Sequence, residues 1–372
     1  MALSWATTSL TRALKIQYPI IQAPCAGHTG VNLVAAVSNA GGLGSLGAGM
    51  IAPGQLREMI REIQQKTSRP FSVNLFCRPT PPPSHEELQH HYQGSDDALN
   101  AIRVELGLPI PKEYQLRSPP LEEQVQVLLD EGVPIVSYTF GYLPEAIHKK
   151  FVNAGVYLIG TATTVGEAIM LAGLDPSSPT RKADAIIAQG IEAGGHRGSF
   201  LEGAQLSVRD LTKSIRQAVG SEIPIIAAGG LSNGQDVVDV LHLGADGAAL
   251  GTLFMLSTDS ATPKAHREYM LKAGQNQVEP TRISRALTGR AVRSYPNALM
   301  KRLESFDVPG YDIHSAKTKD IAAYAAQKGI PDYMWLFTGA HASEAAKYSE
   351  QGTLSASEIL GKIVSDVNKH TA

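Results

Sequence analysis

The feature that most constrains the fold is an alternation of short apolar segments and amphipathic segments over about the first 260 residues. The apolar runs have the length of buried strands, and eight of them occur, at residues 18–24, 44–46, 71–76, 134–140, 156–161, 185–188, 224–228 and 247–250. Helical periodicity separates most of them, at residues 31–40, 55–66, 121–131, 144–153, 164–172, 206–219 and 232–243. Doubly wound open sheets usually have about five or six strands. Eight repeats therefore favour an α/β fold of the TIM (β/α)8 barrel type.

The predicted barrel covers residues 1–262, close to the roughly 250 residues typical of this fold. An insertion follows the third strand at about residues 79–120, and we expect it to be a solvated excursion that begins with a stiff proline-rich linker. Its histidines lack matching ligands, so no metal site is predicted. Residues 263–372 are expected to form a mainly helical C-terminal subdomain packed on the barrel, with helices at residues 318–328, 340–350 and 355–367.

Composition excludes several classes of partner. The net charge of −2 gives no electrostatic reason to expect nucleic acid or an anionic membrane surface. No apolar run approaches the roughly 20 residues that span a bilayer. The two cysteines, Cys25 and Cys77, are too few for a disulfide framework and favour a reducing compartment. We expect a cytoplasmic protein, monomeric or homodimeric, that acts on a small molecule.

Residues suited to ligand binding and acid–base chemistry come directly after the sixth predicted strand. Gln189, Gly194, Gly195 and His196 come just after the apolar run 185–188. Two adjacent glycines remove the side chains from one patch of backbone, so a flat ligand could approach it closely. Histidine changes its charge near neutral pH and is a natural acid or base. The alternative without a functional site is that the glycines only form a turn and that His196 is a surface residue.

Unusual residues recur at the predicted strand ends, where TIM barrels build their active sites. Gly229-Gly230 follows the seventh strand and Gly251-Thr252 the eighth, where such barrels commonly bind phosphate. Ser232 is the predicted N-cap of the helix between those strands. The amides of Asn74 and Gln189 suit a heterocycle that both donates and accepts hydrogen bonds. FMN would satisfy all of these features, whereas a sugar phosphate would leave the amides unexplained. The strand-end residues are Ala23, Pro24, Cys25, Asn74, Thr139, Gln189, Gly229, Gly230, Gly251 and Thr252.

With these residues assembled, the chain resembles the nitronate monooxygenases, also called 2-nitropropane dioxygenases. The most specific stretch is Gln-Gly-x-Glu-Ala-Gly-Gly-His-Arg-Gly, which begins at Gln189. Other similar stretches lie at residues 19–24, 38–44, 69–76, 227–230 and 250–252. The resemblance weakens in the insertion and in the C-terminal part.

The resemblance implies a TIM barrel that binds FMN non-covalently and oxidises alkyl nitronates, such as propionate-3-nitronate, with oxygen to a carbonyl compound and nitrite. His196 matches the family's catalytic histidine. The positions that match FMN contacts are Asn74, Gln189, Gly194, Gly230, Gly251 and Thr252, and their neighbours Ala23, Pro24, Gly195, Gly229, Ala249 and Leu250 complete the expected FMN-binding set.

Three positions depart from the family pattern. Cys25 stands where methionine is usual, Thr139 where many members have histidine, and Ala249 where glutamine is common. The Thr139 difference bears on the substrate range, because a second imidazole over the flavin is missing.

Two alternatives remain open from the residues. A related FMN barrel could reduce quinones or enoyl thioesters with NAD(P)H, which anaerobic bleaching of the flavin by NADPH would reveal. A phosphate-binding lyase or isomerase could use His196 as a proton shuttle, and that protein would stay colourless after FMN is added.

Overall fold

Eight parallel strands form one sheet in the computed structural model, which describes residues 4–78, 81–116, 118–175, 182–275 and 277–371. The strand order is β1-β9-β8-β6-β5-β4-β3-β2, and a bridge between Ile21 and Leu43 joins the two outer strands. The predicted TIM barrel is therefore confirmed. Its strands are β1 (Ile20–Gln22), β2 (Gly44–Gly47), β3 (Phe71–Phe76), β4 (Ile135–Thr139), β5 (Tyr157–Ala162), β6 (Ala185–Gln189), β8 (Ile225–Ala228) and β9 (Gly247–Leu250); β7 (Gly195–His196) belongs to a second sheet.

The helices between the strands begin and end close to the predicted positions. They are α2 (Val31–Asn39), α3 (Pro53–Lys66), α6 (Leu121–Asp130), α7 (Glu145–Asn153), α8 (Val165–Leu171), α9 (Val208–Val219), α10 (Gly234–His242) and, after the last barrel strand, the single turn α11 (Thr252–Met255). The N-cap prediction for α10 was wrong by one residue. Asn233 caps the helix by accepting the Asp236 N–H at 2.9 Å, whereas the Ser232 hydroxyl donates to Gly230 O.

The barrel interior is filled by side chains of alternate strand residues and closed at its amino-terminal end. Ile135, Ile159 and Ile226 belong to one buried cluster inside the sheet. Leu10 and Leu14 of α1 (Ser9–Leu14) join this cluster. The amino-terminal end is thus a packed hydrophobic core, so a ligand can enter only from the carboxyl ends of the strands.

The insertion is more ordered and more buried than expected. It contains α4 (His85–Gln89) and α5 (Ser95–Leu106), and Leu99 and Ile102 of α5 pack against the C-terminal part of the chain. The prediction of a solvated excursion was wrong because the apolar face of α5 has a hydrophobic partner far away in the sequence. Pro79, Thr80 and Arg117 lie outside the described residues.

The C-terminal extension is mainly helical, as predicted, but it also supplies a β-hairpin. Its elements are α12 (Lys264–Ala273), β10 (Arg282–Ser284), β11 (Val292–Ser294), α13 (Ala298–Leu303), α14 (Tyr311–Lys328), α15 (Ala342–Tyr348) and α16 (Ala356–Thr371). β11 pairs antiparallel with both β10 and β7. Three-residue strands carry too little alternation to be recognised in the sequence. Within the described ranges, none of the helices has the length and apolarity that crossing a membrane requires.

Two ion pairs with buried basic side chains join the insertion to α14. Lys317 donates to Asp96 at 2.5 Å, and neither side chain is more than 3% exposed. Arg103 of α5 is fully buried and donates to Asp320 at 2.7 Å. Because a buried charge without a partner is costly, these pairs hold the two segments in one arrangement beside the barrel.

Candidate active site

A cavity opens at the carboxyl ends of the barrel strands. Of the predicted site residues, the structure brings together His196 with Ala23, Pro24, Asn74, Gln189, Gly194, Gly195, Gly229, Gly230, Ala249, Gly251 and Thr252. Leu250 does not line the cavity. Neighbouring residues of a strand point to opposite faces, so Ala249 faces the interior while Leu250 packs in the cluster between the barrel and its helices.

The loop after β6 is held by side chains of its own sequence motif. The Gln189 amide donates to His196 O at 3.1 Å and accepts the Gly198 N–H at 2.8 Å. The buried guanidinium of Arg197 donates to Gly190 O at 2.6 Å and to Gln189 O at 2.9 Å. Gln189, expected to meet a heterocycle, therefore also fixes the position of His196.

The two glycines before His196 have different surroundings. A Cβ on Gly194 would lie 2.4 Å from the backbone N of Gly339, so this glycine permits a close approach of the C-terminal part. Gly195 has φ +73°, and a Cβ there would meet no atom within 4 Å. The bare backbone predicted for both glycines is therefore found at Gly195 alone.

His196 is oriented by one hydroxyl and surrounded by aromatic rings. Its Nε2 lies 2.9 Å from Thr288 Oγ1, and the Thr288 hydroxyl donates to Arg290 O at 3.3 Å. The rings of Phe140 and Tyr311 stand edge-on to the imidazole, with centroids at 5.9 and 5.1 Å. Phe337 packs on it in the same way at 5.2 Å. The imidazole thus has a restricted orientation.

Phe140 is held in a strained backbone conformation beside this imidazole. Its φ is +76°, which is rare for a bulky side chain. The guanidinium carbon of Arg290 lies 4.0 Å from the centroid of the Phe140 ring, and Arg290 also donates to Arg197 O and Ser199 O. Burial lowers the pKa of Arg290 to about 10, so it stays cationic at neutral pH. Strain of this kind is often found at functional sites.

The glycine loops after β8 and β9 form the other end of the cavity. Gly229 and Gly230 have φ +114° and +69°, which favours glycine at both positions. Residues of the C-terminal part cover these loops. Gly339 N donates to Thr252 Oγ1 at 3.0 Å, and His341 Nδ1 lies 2.7 Å from Gly230 O.

The barrel wall carries polar atoms without partners among the described residues. Ser72 Oγ and His28 Nδ1 are buried and make no hydrogen bond there, and both residues line the cavity. Burial lowers the pKa of His28 to about 4, so its ring is neutral. Asn74 donates to Ser137 Oγ at 3.0 Å. Burial also raises the pKa of Cys25 to about 12, which argues against a reactive thiolate.

The sequence analysis missed the C-terminal wall of the cavity. The residues that line it are Tyr311, Trp335, Phe337, Gly339 and His341, and the buried Thr288 contacts His196 from outside the lining. The concentration of aromatic side chains at residues 333–337 was a signal that could have drawn attention to this segment. The sequence around Thr288 and around His341 has no feature that singles these residues out, because their roles arise from contacts with residues far away in the chain.

Comparison with known proteins gives a consistent picture. The sequence model described as nitronate monooxygenase matches residues 7–366. A probable nitronate monooxygenase from Staphylococcus aureus (strain MSSA476) is 33% identical over 369 residues, covering 98% of each chain.

Solved structures agree with these sequence comparisons. The structure of a nitroalkane oxidase from Streptomyces ansochromogenes is similar with a TM-score of 0.81 and 30% identity, covering 97% of this chain and 98% of that one. FabK from Thermotoga maritima has a TM-score of 0.74 at 23% identity, covering 98% of this chain and 97% of its own, and supports the fold alone.

Proposed function

Because this chain belongs to the nitronate monooxygenase family, whose members are flavin-dependent oxidoreductases, we propose that it binds FMN and oxidises alkyl nitronates with oxygen. The products are a carbonyl compound and nitrite, and propionate-3-nitronate is a representative substrate. The observation that carries the proposal is that His196 lines the same cavity as the open backbone of Gly195 and both glycine loops.

The cavity fits a flavin in three respects. The open space at Gly195 can accommodate a flat ring. Ser72 Oγ and His28 Nδ1 have no hydrogen-bond partner among the described residues, which suits a ligand with hydrogen-bonding groups. The loops at Gly230 and Thr252 lie where TIM barrels commonly hold phosphate. We assign Asn74, Gln189 and Gly194 to the ring side, with Ala23, Pro24 and Ala249 as apolar wall, and Gly229, Gly230, Gly251 and Thr252 to the phosphate side. When bound, FMN supplies the redox step by accepting electrons from the substrate and passing them to oxygen.

His196 is the proposed catalytic residue. We assign the hydrogen of the Thr288 hydroxyl to Arg290 O, and with this assignment Thr288 Oγ1 accepts a hydrogen from His196 Nε2. In the neutral ring the lone pair is then on Nδ1. A protonated ring can donate to a nitronate oxygen, and a neutral ring can remove the α-proton of a neutral nitroalkane. The rings of Phe140, Tyr311 and Phe337 shield the imidazole from bulk water.

The test is the substitution His196→Asn. We expect the variant to keep its bound flavin and to lose nitronate turnover by about a hundredfold or more, which is the contribution of a positioned acid or base. Nitrite production from propionate-3-nitronate measures the turnover. The control is His242→Asn, at the exposed end of α10. Turnover of His196→Asn within twofold of the unmodified chain would remove His196 from the mechanism.

A further inference from the structure

The phosphate side of the cavity is covered by a segment of residues 338–341, referred to below as the covering segment. It contacts the loops after β6, β8 and β9 at once. Gly339 N donates to Thr252 Oγ1 at 3.0 Å, and Ala340 N donates to Glu192 O at 2.9 Å. The Ser232 hydroxyl lies 3.4 Å from His341 O. The phosphate side is therefore built from the barrel and from this segment together.

His341 occupies a defined place in the covering segment. A Cβ on Gly230 would lie 2.9 Å from His341 Nδ1 and 3.0 Å from its Cε1, so the imidazole sits on the bare backbone of Gly230. Nδ1 donates to Gly230 O at 2.7 Å, which fixes one edge of the ring. The side chain is otherwise exposed and lines the cavity.

The carboxylate of Glu192 lies beside Gly230 but does not line the cavity. Glu192, whose Cβ also lies 2.9 Å from the place of a Cβ on Gly230, accepts the Val208 N–H at 2.9 Å. Gly229, Gly230 and the ring of His341 line the cavity together here, and no carboxylate is found among the described residues that line it. An anion with several acceptor oxygens is the ligand that such a set recognises.

We propose that His341 is a ligand of the FMN phosphate and that it makes the protein prefer FMN to riboflavin; this rests on the proposed function. With a hydrogen on both nitrogens, the ring donates one N–H to Gly230 O and the other to a phosphate oxygen. A charge-assisted hydrogen bond of this kind is stronger than a neutral one. Riboflavin has no phosphate, so its affinity does not depend on this hydrogen bond.

The experiment compares the affinities of FMN and riboflavin for the full-length protein freed of flavin, measured by quenching of flavin fluorescence. The key variant is His341→Asn, because the asparagine amide can still donate near the position of Nδ1 but leaves no charge toward the phosphate. We expect FMN to bind about tenfold more weakly, as expected for loss of a hydrogen bond to a charged group, and riboflavin binding to stay the same. His341→Lys, which keeps a cation, should retain most of the preference for FMN, and His242→Asn is the surface control.

Several results would overturn the inference. An equal loss of affinity for both flavins in His341→Asn would mean that His341 only supports the loop at Gly230. An unchanged FMN affinity would mean that it does not touch the phosphate. Failure of the unmodified protein to bind either flavin would overturn the proposed function as well, so the two failures are distinguishable.

Discussion

The two sides of the cavity differ in what they contribute. The strand-end side, formed by residues that follow the barrel strands, offers backbone, amides and small residues such as Asn74, Gln189 and Gly195. The C-terminal side, formed by residues 281–341, contributes aromatic rings, the hydroxyl that orients His196, and His341. The barrel thus provides surfaces on which a flavin can lie, whereas the C-terminal side orients the imidazole of His196 and covers the loops at Gly230 and Thr252.

The C-terminal side contacts the insertion as well as the barrel. Its helix α14 is joined to the insertion by the buried pair Lys317–Asp96 and by the pair between the buried Arg103 and the partly exposed Asp320. Tyr311, at the start of the same helix, contacts His196. The insertion is therefore connected to the surroundings of His196 through α14, and none of its described residues lines the cavity.

The largest expected effect comes from breaking this connection. In Lys317→Met, Asp96 is left buried without its partner, and removal of one member of a buried ion pair typically costs about 3–5 kcal/mol. We expect the free energy of unfolding, measured by denaturant titration, to fall by about that amount. Lys319→Met, an exposed lysine on the same helix, is the control and should change it by less than about 0.5 kcal/mol. Equal effects of the two substitutions would show that α14 does not need the insertion.

A smaller effect is expected where the two sides meet at Gly194. The added Cβ of Gly194→Ala would lie 2.4 Å from Gly339 N, so residues 338 and 339 must shift away. We expect the free energy of unfolding, measured by denaturant titration, to fall by about 1–3 kcal/mol, which is typical of overpacking. We also expect the same variant to bind FMN more weakly. Gly361→Ala in α16, where a Cβ meets no atom within 4 Å, is the matched control and should be neutral or stabilising. Unaltered FMN binding in Gly194→Ala would show that the covering segment is not part of the flavin site.

The smallest expected effect concerns the orientation of His196. Thr288→Val keeps the shape of the side chain but removes the hydroxyl that lies 2.9 Å from His196 Nε2. We expect kcat for nitronate to fall about tenfold, equivalent to one hydrogen bond of about 1.4 kcal/mol, with flavin binding unchanged. Thr288→Ser should restore most of the activity. If Val and Ser behave alike, the hydroxyl has no role in orienting His196.

The barrel and the strand-end side could be predicted because their signals are local. Each apolar run, such as residues 224–228, ends at residues whose position at the sheet edge follows from the fold class. The alternation of side chains between the two faces of a strand could also have been used. It places Leu250 on the face opposite to Ala249 and therefore outside the cavity. The glycine pair 194–195 was recognised as a bare surface, although only the structure distinguishes the member that faces open space.

The C-terminal side could not be predicted for a physical reason. The strand β11 pairs with β7 as well as with β10, and its pairing with β7 spans nearly a hundred residues of sequence. The partners of Arg103 and Lys317 are likewise distant, so the sequence of the insertion does not show what its apolar face and its charges pack against. Contacts of this kind depend on tertiary packing, which a short window of sequence does not contain.

The decisive measurement is a crystal structure of the protein with FMN bound. We expect the phosphate to lie against the loops at Gly230 and Thr252, the ring to lie over the open backbone of Gly195, and the imidazole of His196 to face the ring. A phosphate bound elsewhere, or a His196 side chain directed away from the flavin, would contradict this expectation.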